Sequence, residues 1–155
     1  MKARTRARAV ALQVLYEIDI VDHLPGDALQ HGLEEVQLTA KLAEFSRQII
    51  FGVIPLRKTL DRYIAEHASD WPLDQVATID RNILRISLWE IAVYEGTPIK
   101  VAINEAIELA KLYGSDSASR FVNGVLGALA ERENEIKQRI KAYIAQTKTS
   151  DGALE

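Results

Sequence analysis

The 155-residue sequence contains no cysteine, which excludes a disulfide framework, a thiolate nucleophile and a cysteine-ligated zinc site. Its longest apolar runs, such as IIFGVI at positions 49–54, are far too short to cross a bilayer. The first twenty residues lack the uncharged core of a signal peptide, because Glu17 and Asp19 fall where that core would be. These absences predict a cytoplasmic protein.

Patterns that indicate catalysis or metal binding are missing too. There is no Gly-x-Ser-x-Gly elbow and no glycine loop of the phosphate-binding or dinucleotide-binding type. The three histidines lack the spacing of helical metal ligands. Glu105 and Glu108 share a helical face, but this face lies opposite the apolar arc, so we expect both carboxylates to face water. The sequence therefore predicts a protein without enzymatic activity, metal or cofactor.

Positive charge is scarce overall but concentrated at one end. The chain has a net charge of −3, yet residues 1–10 hold four cations and no acid, so the rest must carry −7. A basic end attached to an acidic body often binds nucleic acid or another anionic surface. A frayed, solvated terminus is the alternative interpretation. The four cations are Lys2, Arg4, Arg6 and Arg8.

The apolar residues follow a helical spacing in almost every segment between prolines and glycines. No segment shows sustained alternation with β-branched residues, so we expect no sheet. The pattern predicts an all-α domain of six or seven helices over residues 1–147. Beyond Tyr143 the apolar stripe fades, which predicts a flexible tail over residues 148–155.

Two aromatic residues lie beside cations on predicted helices. Tyr16 is on the wetter face of the first helix, where it could stack on an unpaired base or close a groove between helices. Ser115 to Ser117 are candidate caps for a later helix, and Arg120 and Phe121 follow in its first turn. An arginine there opposes the helix dipole, which is easier to understand if an anion binds nearby. The two pairs would form one strip if these helices were neighbours.

Four stretches, in order and over most of the chain, resemble the bacterial NusB family of transcription antitermination factors. They are RARAVALQVLYEID (6–19), ILRISLWEI (83–91), KVAINEAIELAKLYG (100–114) and RFVNGVLGAL (120–129). The resemblance implies an all-helical fold of two packed bundles without enzymatic activity. It also implies binding to boxA RNA of ribosomal RNA operon leaders, with the small-subunit ribosomal protein NusE, in a complex with RNA polymerase. Relatives include homodimers, so both monomer and homodimer stay open.

The resemblance also implies roles for individual residues. The basic first helix and the ring of its Leu-Tyr pair are implied to bind RNA, as are a phenylalanine and the cation before it. These RNA-binding positions are Lys2, Arg4, Arg6, Arg8, Tyr16, Arg120 and Phe121. Asp80 and, more weakly, Asp74 match acidic positions associated with NusE contact. Ala9 and Ser117 depart from the family, which commonly has glutamate and aspartate there.

Two alternative functions accompany this prediction. A similar helical module precedes the catalytic domain of certain ribosomal RNA cytosine methyltransferases, although 155 residues leave no room for that domain. The other alternative is a helical protein-interaction adapter that does not bind RNA. It predicts that the basic end pairs with acidic residues of the body.

Overall fold

The structure, a computed structural model that describes residues 2–21, 24–68 and 72–154, is built from packed helices. They are α1 (Ala3–Val21), α2 (Pro25–Glu35), α3 (Ala40–Val53), α4 (Arg57–His67), α5 (Thr78–Trp89), α6 (Ile99–Tyr113), α7 (Ala118–Ala130) and α8 (Glu133–Leu154). The described ranges contain no β-strand, and the predicted all-α class is confirmed. Helix α8 continues through position 154, so the predicted tail begins inside a helix, and Glu155 lies outside the described residues.

Helix α5 is the centre of the fold. Its residues 82–89 are all buried, as are residues 7–12 of α1, whereas the remaining helices bury mainly one face. It packs against α1, α3, α4, α6 and α7, which joins the two helical bundles. Nowhere in the described ranges is a helix both long enough and apolar enough to cross a membrane.

Helix α1 runs antiparallel to α5 and is fixed to it at both ends. Near its start, the Arg8 guanidinium pairs with the Glu90 carboxylate at 2.8 Å. Near its end, Asp19 accepts a hydrogen bond from the Asn82 amide at 3.0 Å. The polar contacts therefore define the direction of α1 as firmly as its apolar face does.

Helix α6 also runs antiparallel to α5, and hence parallel to α1. At its beginning, the carbonyl of Ala102 accepts a hydrogen bond from Ser87 Oγ at 3.4 Å. At its end, Gly114 comes so close to the start of α5 that a Cβ there would lie 2.9 Å from Asp80 Oδ1. The α6–α7 connection therefore lies beside the first turn of α5.

A single π-helical turn, Glu90–Tyr94, extends α5. The Glu95 amide donates to the Glu90 carbonyl at 2.9 Å, and Glu95 itself has a φ of 57°, which ends the helix. The turn brings together Glu90, which pairs with α1, and Tyr94, whose ring stacks on Trp89 with centroids 5.4 Å apart.

A second ionic cluster connects α1, α4 and α5. The Arg85 guanidinium bonds to Asp61 at 2.6 and 2.7 Å and to Asp19 at 2.7 Å. Burial alone would raise the pKa of Asp19. The hydrogen bond from Asn82, together with the charge and hydrogen bonds of Arg85 and Arg57, outweighs burial and lowers this pKa below its ordinary value.

Candidate nucleic-acid interface

The first turn of α1 and the residue before it expose three of the four predicted cations. Lys2, Arg4 and Arg6 are exposed, and none of them pairs with a carboxylate in the described part of the chain. The Arg4 guanidinium carbon lies 4.0 Å from the centre of the Phe45 ring, and its Nη2 donates to the Tyr94 hydroxyl at 3.2 Å. Arg6 donates only to a backbone carbonyl, that of Gln37, at 3.0 Å. These cations are therefore held in place but not neutralised.

The structure corrects the placement of Arg8. Its side chain is 3% exposed and bonds to Glu90 through Nε and Nη2, at 2.8 to 3.1 Å. The sequence periodicity placed Arg8 one turn from Arg4 on the same side of α1. At the position of Arg8, however, the inward side of α1 meets the buried carboxylate of Glu90, which is distant in the sequence. The Arg8 charge is used inside the fold and is not available to a phosphate.

The placement of Glu105 is corrected as well. We expected this carboxylate to face water, yet its side chain is only 13% exposed and its Oε2 accepts a bond from Thr5 Oγ1 at 2.6 Å. Packing of α1 on α6 covers this part of the face, while Glu108 is exposed as predicted. Across the described ranges, no three His, Asp or Glu side chains are grouped so as to hold a metal ion.

Tyr16 lies on the open side of α1, with 41% of its surface exposed. It comes eleven residues after Thr5, so it lies on nearly the same face and about 16 Å further along the axis. Since α6 runs parallel to α1 and Thr5 contacts Glu105, the same distance along α6 reaches the α6–α7 connection. Tyr16 is therefore at about the level of the start of α7 along the helix axis.

The starts of α5 and α7 enclose a cleft of about 450 Å³, which we call the Asp80 cleft. It is lined by Gln75, Val76, Ala77, Asp80, Ser115, Ser117, Ala118, Arg120 and Phe121. As predicted, Arg120 is exposed and Phe121 lies at the boundary, half-buried against the core. The predicted inward residues of this helix, Val122, Val125, Leu126 and Leu129, are all buried.

The predicted cap of α7 has the right position but lacks the expected bond. Ser117 is the N-cap residue, yet its side chain makes no capping hydrogen bond. Helix α5 likewise begins after Ala77 without a side-chain cap. The start of α7 thus meets the cleft without a side-chain acceptor, an arrangement that favours an anion, whereas α5 already carries the Asp80 carboxylate in its first turn.

The two predicted acidic residues differ in their surroundings. Asp74 is exposed on the short 3₁₀ turn Leu73–Gln75. Asp80 is 6% exposed, and its Oδ1 has no hydrogen-bond partner. The family resemblance implied a protein contact for Asp80 and an RNA contact for Phe121, and the structure brings both residues into one cleft. Gly114, which lets the chain pass beside Asp80, was the only signal of this proximity in the sequence, and its significance was missed.

These features define a class of protein: an all-helical domain that presents unneutralised cations, exposed rings and an anion-favouring cleft. The sequence profile of the NusB family matches residues 5–131. The transcription antitermination protein NusB of Roseiflexus sp. strain RS-1 is 48% identical over 134 residues, which cover 85% of this chain and 94% of that protein. The chain belongs to the NusB family.

Solved structures agree with this assignment. A T. maritima NusB structure matches with a TM-score of 0.77 and 31% identity, over 84% of this chain and 92% of that one. A crystal structure of the antitermination factors NusB and NusE in complex with double-stranded RNA matches with a TM-score of 0.76 and 26% identity. That match covers 84% of this chain and 98% of the solved one.

Proposed function

We propose that this protein is a non-catalytic RNA-binding factor of transcription antitermination. In this proposal it binds single-stranded boxA RNA of ribosomal RNA operon leaders together with NusE, and supports read-through by RNA polymerase in the cytoplasm. The observation that carries the proposal is the set of exposed cations on α1, which have no carboxylate partner in the part of the chain that is described although the protein is acidic overall. Unneutralised cations on an acidic body are poised to attract a polyanion.

The proposed RNA surface begins at Lys2, Arg4 and Arg6, passes Tyr16 and ends at Arg120 and Phe121. The four exposed cations would contact phosphates, and the two rings would stack on bases. Arg8 is left out of the contacting set because it is buried. Its proposed role is to hold α1 against Glu90, so that the neighbouring cations stay in position.

The proposed NusE contact is centred on Asp74, whose exposed carboxylate can reach a protein partner. Asp80 offers little surface to such a partner unless a side chain enters the cleft. The relatives' names and the NusB–NusE–RNA structure support this reading over a methyltransferase module. Of the basic end, only Arg8 pairs with acidic residues of the body, Glu90 and Glu105. A protein-only adapter is disfavoured because the other three cations have no carboxylate partner in the described ranges.

The test is a fluorescence anisotropy titration of a labelled single-stranded boxA RNA, a scrambled strand and a duplex, with and without NusE, over a series of salt concentrations. Four phosphate contacts predict a slope of log affinity against log salt near −3. Arg6→Ala should reduce the slope by about 0.7, while Phe121→Ala should weaken boxA binding by about 1–3 kcal/mol.

Arg62→Ala is the matched control. Arg62 is exposed on α4 and has no carboxylate partner in the described ranges, but it lies outside the proposed surface, so its loss should leave the slope unchanged. No detectable binding of either single strand, even with NusE present, would refute the proposal. If the duplex binds more tightly than single-stranded boxA RNA, the proposed ligand is double-stranded RNA and the proposal of a single-stranded ligand is wrong.

A further inference from the structure

The Asp80 carboxyl is an unsatisfied group in an otherwise well-bonded interior. Its Oδ1 is buried without a partner, and Asp80 is the only buried polar residue that lines the cleft. Buried carboxyl oxygens normally accept hydrogen bonds, since leaving them unpaired costs free energy. Burial also raises the pKa of Asp80 above its ordinary value. Oδ1, which lies beside Gly114, therefore lacks a hydrogen-bond donor, and a ligand in the cleft supplies one when the carboxyl group turns toward it.

The rest of the cleft favours a ligand with an anionic end. Arg120 is exposed at its rim, and α7 begins there without a side-chain cap. Both features attract an anion and disfavour an incoming lysine or arginine side chain. The half-buried Phe121 ring adds an apolar wall on which a flat group can stack.

A nucleotide combines the three features that the cleft favours, namely a hydrogen-bond donor, a flat ring and an anionic phosphate. Resting on the proposed RNA binding, we infer that the Asp80 cleft takes one nucleobase that carries an exocyclic amino group, which donates to the Asp80 carboxylate. The base packs against Phe121, and its phosphate lies at Arg120 and the start of α7. An ionised carboxylate only accepts hydrogen bonds, so it pairs with the amino group of cytosine but faces a carbonyl at the same place in uracil.

The experiment compares oligocytidine with oligouridine of equal length, because the two pyrimidines differ mainly in their hydrogen-bonding edge. Affinities are measured by anisotropy at about pH 8, well above the ordinary pKa of an aspartate, because burial raises the pKa of Asp80. The wild-type protein should prefer oligocytidine by about tenfold. Asp80→Asn, which keeps the shape but adds a donor, should reduce this ratio to about twofold or less.

Asp116→Asn is the matched control. Asp116 is exposed between two residues that line the cleft but does not line it, so its loss should change both affinities by the same factor. Thermal unfolding of Asp80→Asn checks that the variant is folded. The ratio of the oligocytidine affinity to the oligouridine affinity is measured on the wild-type protein alone. A value near one overturns the inference even if Asp80→Asn does not fold.

The remaining outcomes separate the inference from the proposed function. If boxA RNA binds but Asp80→Asn leaves the cytosine preference intact, the base pocket is wrong and the RNA-binding function stands. Loss of NusE binding with an unchanged ratio would show that the cleft receives a protein side chain instead, which also overturns the inference. Failure of the wild-type protein to bind boxA RNA would remove the proposed function and the inference with it.

Discussion

The buried Arg8–Glu90 pair makes a quantitative prediction, because removal of one partner leaves the other charge without compensation. The two side chains are 3% and 1% exposed, and three hydrogen bonds join them. In Arg8→Ala, the Glu90 carboxylate would keep only the longer bond from Thr97 Oγ1, at 3.3 Å. Breaking a buried pair in this way costs about 3–5 kcal/mol. For a chain of this size that loss lowers the melting temperature by about 6–20 °C.

The assay is urea and thermal unfolding of Arg8→Ala beside Arg6→Ala. Arg6 is exposed two positions away and bonds only to a carbonyl, so its loss should change stability by less than about 0.5 kcal/mol. The double variant Arg8→Met, Glu90→Leu should recover part of the lost stability, because apolar replacements of a buried ion pair are often neutral. The recovery stays incomplete because Glu105, whose Oε2 lies 3.5 Å from Arg8 Nη1, loses its cation in both variants.

The same variants test whether Arg8 touches RNA. The folded double variant should keep the wild-type salt slope, whereas Arg6→Ala should lose about 0.7 of it. Equal destabilisation by Arg8→Ala and Arg6→Ala would refute the buried pair. A slope for the double variant as low as that of Arg6→Ala would show that Arg8 contacts phosphate after all.

Two further predictions concern stability. Because the folded state lowers the pKa of Asp19, its stabilising contribution is present above the unfolded value near 3.8 and is lost as pH falls through the lower folded pKa. Asp19→Asn should therefore destabilise the protein at pH 7 and much less near pH 2 in urea unfolding; an equal difference at both pH values would contradict this. Gly52→Ala should cost about 1–3 kcal/mol in thermal unfolding, because its methyl group would overlap the indole Nε1 of Trp89, which the Tyr94 ring holds in place. Gly127→Ala, with open space around it, is the control and should not destabilise.

The fold was largely predictable because its signal is local. Apolar residues at helical spacing indicated the helices up to α7, and the phase of α7 placed Arg120 outside and Phe121 at the boundary. Helix α8 was not predicted to extend so far. Its apolar stripe, which includes the buried Ile136 and Ile140, fades beyond Tyr143, and its outer face carries ion pairs one turn apart, such as Arg139 with Glu135.

The site was less predictable because its decisive contacts are distant in sequence. Arg4 and Arg8 each follow an alanine and lie one turn apart on α1, yet only Arg8 meets a buried carboxylate, 82 residues away. Likewise Glu105 is covered because Thr5, 100 residues earlier, packs on it. Helical phase gives the direction of a side chain within its own helix, but it does not show which residue of another helix lies there.

The π-helical turn Glu90–Tyr94 also limits how the length of this chain can change. In a regular α-helix each residue turns the chain by about 100°, so deleting one residue here would rotate everything beyond the turn by that angle. The rotation would separate Tyr94 from Arg4, and Glu95 from its ion pair with Lys141 on α8. An insertion or deletion in this turn would thus disturb both the basic end of α1 and the docking of the last helix, although neither lies near it in the sequence.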